Sequence, residues 1–114
     1  MTSVILGAIP FDGHVTPMLG VARRFTELGI RVRFLTGADY AERVRATGAE
    51  FLPLPVEADH VDAAVVRDDG EKRLRGAAAL RENLDRVFIR PTGGQYRALL
   101  AALEAEPADA VLTE

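Results

Sequence analysis

The sequence predicts an α/β fold, a parallel sheet with flanking helices. Three observations predict it. Short apolar runs alternate with segments of helical period through residues 3–54. Glycine or proline marks the changes from one period to the next. The run Pro10-Phe11-Asp12-Gly13-His14-Val15-Thr16-Pro17 lies between an apolar run and a helix pattern, so it places one histidine on the first strand-to-helix loop. Ligands of open α/β sheets bind at the carboxyl ends of the strands, where such loops lie.

Residues 3–9 read as a buried parallel strand, a continuous apolar run ended by Pro10. Thr16 suits an N-cap and Pro17 the first helical position, where a missing N–H costs nothing. Met18, Val21, Ala22, Phe25 and Leu28 then follow helical spacing to a stop at Gly29. Val32, Phe34 and Leu35 make a second strand closed by Thr36-Gly37. Asp39 caps a short second helix through Ala46, stopped by Gly48. Residues 50–54 form a third strand, with Pro53 and Pro55 ending its ladder. These elements give consecutive right-handed βαβ crossovers.

The pattern then changes. Residues 56–70 carry five acidic residues and no firm period, and read as a surface loop with one helical turn. Leu80, Leu84, Val87 and Phe88 mark a longer helix that Pro91 ends. Gly93-Gly94 lacks the strand-before, helix-after context of a phosphate loop and reads as a separator of two helices. Tyr96, Leu99, Leu100 and Leu103 mark the next helix, broken by Pro107. Residues 109–113 begin a fourth strand with no helix after it. Its unpaired edge predicts association, with a second copy or with a partner chain, and the abrupt stop reads as the leading piece of a longer design.

Composition narrows the function. At 114 residues and 48% hydrophobic content, one packed domain is expected. The net charge of −3 without a basic run argues against nucleic acid as a partner. The absence of cysteine excludes disulfides and thiolate metal sites. The apolar start lacks a basic leader, and no stretch approaches the roughly 18 residues needed to span a bilayer. A soluble, cytoplasmic protein is expected.

His14 is the residue best suited to chemistry, because a neutral imidazole can take a proton from a hydroxyl near neutral pH. The start of the following helix carries partial positive charge, which favours that neutral form. The plain alternative is a turn histidine bonded to backbone. Asp12 is the nearby carboxylate able to orient it, although aspartate before glycine is commonly a turn residue. Gly13 reads as the residue that lets the chain turn tightly beside a ligand, Phe11 as an apolar wall of that site or simple packing, and Gly7 as a small residue within a strand. His60 has no second ligand at metal spacing and reads as a surface histidine, so no metal is expected. The mixed charges of residues 67–75 read as a solvated face.

Gly13-His14-Val15-Thr16-Pro17, a helix, then Gly29-Ile30-Arg31-Val32-Arg33-Phe34-Leu35-Thr36 and Gly48-Ala49-Glu50-Phe51-Leu52-Pro53-Leu54 together resemble the opening of family 1-like GT-B glycosyltransferases. The nearest group is the bacterial enzymes that glycosylate macrolides and other natural products. The resemblance resumes at Pro107-Ala108-Asp109-Ala110-Val111-Leu112-Thr113-Glu114. It implies a Rossmann-like parallel sheet and the incomplete N-terminal half of a GT-B fold. Residues 1–114 would then be a partial acceptor-side domain, without the C-terminal nucleotide-sugar domain. It implies inverting transfer from a nucleotide diphosphate sugar, UDP- or dTDP-linked, to a hydroxyl of a small, largely apolar acceptor. No metal or other cofactor is needed in such transfer. By the same resemblance His14 is the base, Phe11, Asp12 and Gly13 border the substrate, and Glu114 stands where the family usually has an aspartate orienting the histidine. The chain alone is then expected to be inactive.

Two other readings stay open. One is a noncatalytic binding or partner module, such as one part of a split glycosyltransferase or an auxiliary subunit. The other is an unrelated nucleotide-binding domain, which the lack of Gly-x-Gly-x-x-Gly in the first loop disfavours.

Overall fold

Short apolar runs suit the buried strands of a parallel sheet, and those of this chain form one such sheet. The computed structural model describes residues 1–59 and 76–114. His60, the charges of residues 67–75 and most of the 56–70 loop lie outside the described residues. Strands β1 (Ser3–Gly7), β2 (Arg31–Thr36), β3 (Glu50–Pro53) and β4 (Ala110–Thr113) lie in the order β3-β2-β1-β4, all parallel. Val4 pairs with Val32 on one side and Ala110 on the other. β4 therefore has β1 as its neighbour, while its four residues remain exposed.

Alternation along the strands divides the core in two. Val4, Leu6, Val32 and Phe34 face helix α1 (Asp12–Glu27), with Val15, Ala22, Val44 and Tyr40 in the same cluster. Leu35 faces the other way, toward Leu54, Ala58 and Leu99 of helix α4 (Thr92–Ala105). Helix α1 ends in a Schellman turn: Gly29 N–H donates to Thr26 and Ile30 N–H to Phe25, with Gly29 at φ 81°.

Several boundaries differ from the sequence reading. Helix α1 begins at Asp12, not Met18, so Thr16 is no N-cap and Pro17 is its sixth residue. Phe11 is extended, and its carbonyl accepts from His14 N–H at 3.0 Å and Val15 N–H at 2.8 Å, which starts the helix early. Pro17 removes one main-chain bond, the one to the Gly13 carbonyl. Asp39 does not cap the second helix; it lies in a 3₁₀ turn (Ala38–Tyr40) leading into α2 (Ala41–Arg45). Val56–Ala58 supplies the one expected helical turn of the acidic loop.

Helix α3 (Ala77–Leu84) continues as a π turn over Asp85–Ile89 before Pro91. Gly93 and Gly94 do not separate helices; they are in the first turn of α4. A Cβ on Gly94 would lie 3.0 Å from the Ala58 Cβ and 3.1 Å from Pro55, so the close approach of α4 to Val56–Ala58 explains the glycine.

Polar contacts fasten the fourth strand and α4. Asp109 receives the Ser3 N–H on its carboxylate at 2.8 Å and donates its own N–H to the Ser3 carbonyl at 2.8 Å. Arg33, only 3% exposed, donates to the carbonyls of Ala102 (2.9 Å) and Glu106 (2.5 Å), a cation at the negative end of α4. Arg31 donates to both carboxylates of Glu50 and Glu106. The Arg31 bonds hold the Glu106 carboxyl below the usual carboxylate range, against a smaller opposing effect of burial.

Candidate functional site

The strand order reverses direction between β1 and β4. β1 leads through α1 to β2 on one side, and β3 leads back across to β4 on the other. The carboxyl ends of β1 and β4 therefore border the crevice in which ligands of open α/β sheets bind. His14 comes from the segment after β1, and Glu114 follows β4.

His14 stands in the first turn of α1 rather than on a loop. Its Nδ1 is 2.8 Å from Glu114 Oε1, with the two side chains 36% and 41% exposed. The distance is that of a charge-assisted bond. Nδ1 nonetheless has no aligned hydrogen-bond partner, because the oxygen lies off the ring N–H direction. The arrangement leaves Nε2 without a hydrogen bond among the described residues. An imidazole with a carboxylate against Nδ1 and with Nε2 open is able to accept a proton.

Glu114 also borders a cavity of about 220 Å³ on the α4 side of the sheet. Its walls include Ile5, Ile9, Leu35 and Val111 from the strands and their ends, with Gln95 and Tyr96 from α4. Mostly apolar walls with few polar groups suit a small organic ligand. Gly7 also lines it, and a Cβ there would reach only ordinary contact with Thr113 at 3.4 Å.

The other residues named from the sequence are placed differently. Phe11 is half-buried, with its ring centroid 6.1 Å from that of His14. Asp12 is turned to Tyr40, whose hydroxyl donates to it at 2.9 Å, and to Arg43 at 3.4 Å, so the structure brings His14 together with Glu114 and not with Asp12. Gly13 is helical without positive φ, and a Cβ on it would meet nothing within 4 Å. The tight turn expected there does not exist, because the helix has already begun. Tyr40 and Arg43 were not marked by any motif. Their signal is topological: parallel pairing of Gly7 with Leu35 sets the segments after β1 and β2 side by side. No group of three or more potential metal ligands occurs among the described residues, and no helix among them is long and apolar enough to cross a membrane.

No family model matches the chain. It is 36% identical over 105 residues to UDP-glucosyltransferase 1 of Beauveria bassiana, covering 89% of this chain and 21% of that protein. It is 32% identical over 114 residues to 4'-demethylrebeccamycin synthase of Lentzea aerocolonigenes, covering 97% and 27%. Among solved structures it matches a calicheamicin glycosyltransferase with TM-score 0.77 and 26% identity, over 99% of this chain and 26% of that one. Fold and sequence are therefore those of part of a GT-B glycosyltransferase. The chain corresponds to the N-terminal part of such enzymes, with bacterial natural-product glycosyltransferases among its relatives, and spans about a quarter of their length.

Proposed function

We propose that this chain is the acceptor-side segment of an inverting glycosyltransferase, one that moves a sugar from a UDP- or dTDP-linked donor to a hydroxyl of a small, largely apolar acceptor. The observation that carries the reading is the His14–Glu114 pair, 2.8 Å apart at the switch point and beside an apolar cavity. The acceptor's apolar body occupies the cavity and its hydroxyl approaches Nε2. The hydroxyl oxygen forms a bond to the anomeric carbon as the bond from that carbon to the diphosphate breaks. The electron pair leaves with the nucleotide diphosphate, and the proton passes to Nε2. Glu114 holds Nδ1–H and stabilises the imidazolium. Donor binding belongs to a second domain, so the 114-residue chain alone transfers nothing. Phe11 walls the approach to His14, while Asp12 and Gly13 border it through the backbone of the first turn. The protein works in the cytoplasm.

A second reading is a noncatalytic binding or partner module that offers the apolar cavity beside Glu114 to a small ligand without transfer. The test is sugar transfer by the full chain, alone and with an added donor domain, across nucleotide sugars and hydrophobic alcohols. Transfer that needs the added domain and falls about 10²–10⁴-fold in His14→Ala supports the enzyme reading. Saturable acceptor binding without transfer in any combination supports the module. Undiminished transfer by His14→Ala refutes the base.

A further inference from the structure

We infer that Tyr40 and Arg43 are positioning residues, which hold the first turn of α1 from its side and thereby keep His14 against Glu114. The inference rests on the reading of His14 as the base, and concerns how this chain fixes it in place.

The first turn of α1 is weak by itself. Phe11 at its N-cap offers no side-chain hydrogen bond to the free N–H groups. Gly13 within it is a poor helix former. Pro17 deprives the Gly13 carbonyl of its helical donor. A helix start with these three defects frays unless something outside the helix fastens it.

The loop and helix after β2 supply that fastening. The Tyr40 hydroxyl donates to Asp12 Oδ1 at 2.9 Å. One Arg43 nitrogen donates to the same oxygen at 3.4 Å, and the other to Thr16 Oγ1 at 3.2 Å. Asp12 and Thr16 are four residues apart, on one face of the helix. Arg43 therefore spans the first turn from end to end. His14, two residues from each, points elsewhere and stays free to meet Glu114. The clamp is itself anchored: Tyr40 is 6% exposed within the core cluster that contains Val15, and the Arg43 guanidinium lies 5.0 Å over its ring.

An exposed Arg–Asp pair contributes little to stability, so a stability measurement alone does not test the clamp. The imidazole tautomer does. Nitrogen-15 shifts of His14 in the full chain, assigned with His14→Gln, read the share of molecules with the proton on Nδ1. In the wild type Nδ1–H predominates, and Glu114→Gln lowers that share. Tyr40→Phe and Arg43→Gln each lower it toward the Glu114→Gln value while cooperative unfolding is retained, and Arg43→Lys restores part of it. Arg43 is half exposed, so Arg43→Gln keeps the fold and the test remains decisive if Tyr40→Phe does not fold. An unchanged tautomer in folded Arg43→Gln overturns the clamp. So does a tautomer indifferent to Glu114→Gln, since there would be no pairing to maintain. Failure of the base reading looks different: transfer survives His14→Ala while the tautomer still responds to Arg43.

Discussion

Replacing Gly13 with alanine tests where α1 begins, and the sign of the effect decides. Gly13 is helical without positive φ, and a new Cβ would meet nothing within 4 Å. Alanine then removes only the entropic cost of glycine in a helix, a gain of about 0.5–1 kcal/mol. For a domain near this size, that raises the melting temperature by roughly 2–6 °C. Gly37→Ala is the opposite case. Its Cβ would lie 2.6 Å from the Pro10 Cβ, fixed in a ring, and 2.2 Å from Asp59 Oδ1. Overpacking of that kind costs about 1–3 kcal/mol. Moving Asp59 aside also breaks its bond from the Ala38 N–H, 2.9 Å, for about 1 kcal/mol more. Urea unfolding followed by circular dichroism measures both. A lower midpoint for Gly13→Ala would show that the backbone there is closed to alanine, and would refute the early helix start together with the clamp built on it.

Other outcomes follow from the same contacts. Arg33→Met leaves the Glu106 carbonyl without its guanidinium donor and the Ala102 carbonyl with only the Glu106 N–H, and destabilises the chain by about 1–3 kcal/mol with faster amide exchange at the end of α4. Asp109→Ala frees the Ser3 N–H and lowers stability by about 1 kcal/mol, with exchange of that amide as the site-specific readout. Because the Glu106 carboxyl titrates lower in the folded chain than its ordinary 4.5, its contribution is present above that pH and is lost as pH falls through the lowered value. Acid titrations of unfolding should therefore show a loss below about pH 4.5 that is smaller in Arg31→Gln. Glu114→Gln slows transfer by the completed enzyme less than His14→Ala does, since Nε2 remains able to accept a proton.

Strands β1 and β2 were legible because they are largely buried, and burial on both faces demands the apolar runs that mark them. Helix ends were legible where a backbone angle required glycine, as at Gly29 and Gly48, both at positive φ. The start of α1 was not. Pro17 is well suited to a first helical position, and local preference pointed there, while the extended Phe11 and its carbonyl bonds set the start five residues earlier, at Asp12. Gly93-Gly94 misled in the same way: glycine suggested a break, but Gly94 answers a tertiary demand, the approach of Ala58 and Pro55. Arg33 is a charge within an apolar run, and its purpose is visible only once the end of α4 lies over it. For the site, spacing offered His14 but not its partner. Glu114 was reached through resemblance, and the place of β4 beside β1 rather than beside β3 is what brings the two within 2.8 Å.

That strand order has a kinetic consequence. No two neighbouring strands are joined by a hairpin, so each pairing waits on closure of an intervening segment, and the widest closure joins Gly7 to Thr113. The β1–β2 and β2–β3 pairings can form from nearby sequence, whereas the His14–Glu114 contact is non-local and comes at the slow end of assembly. During synthesis on the ribosome, a chain with the first three strands already paired still holds an unaccompanied imidazole. The His14–Glu114 contact thus reports that β4 has joined the first three strands.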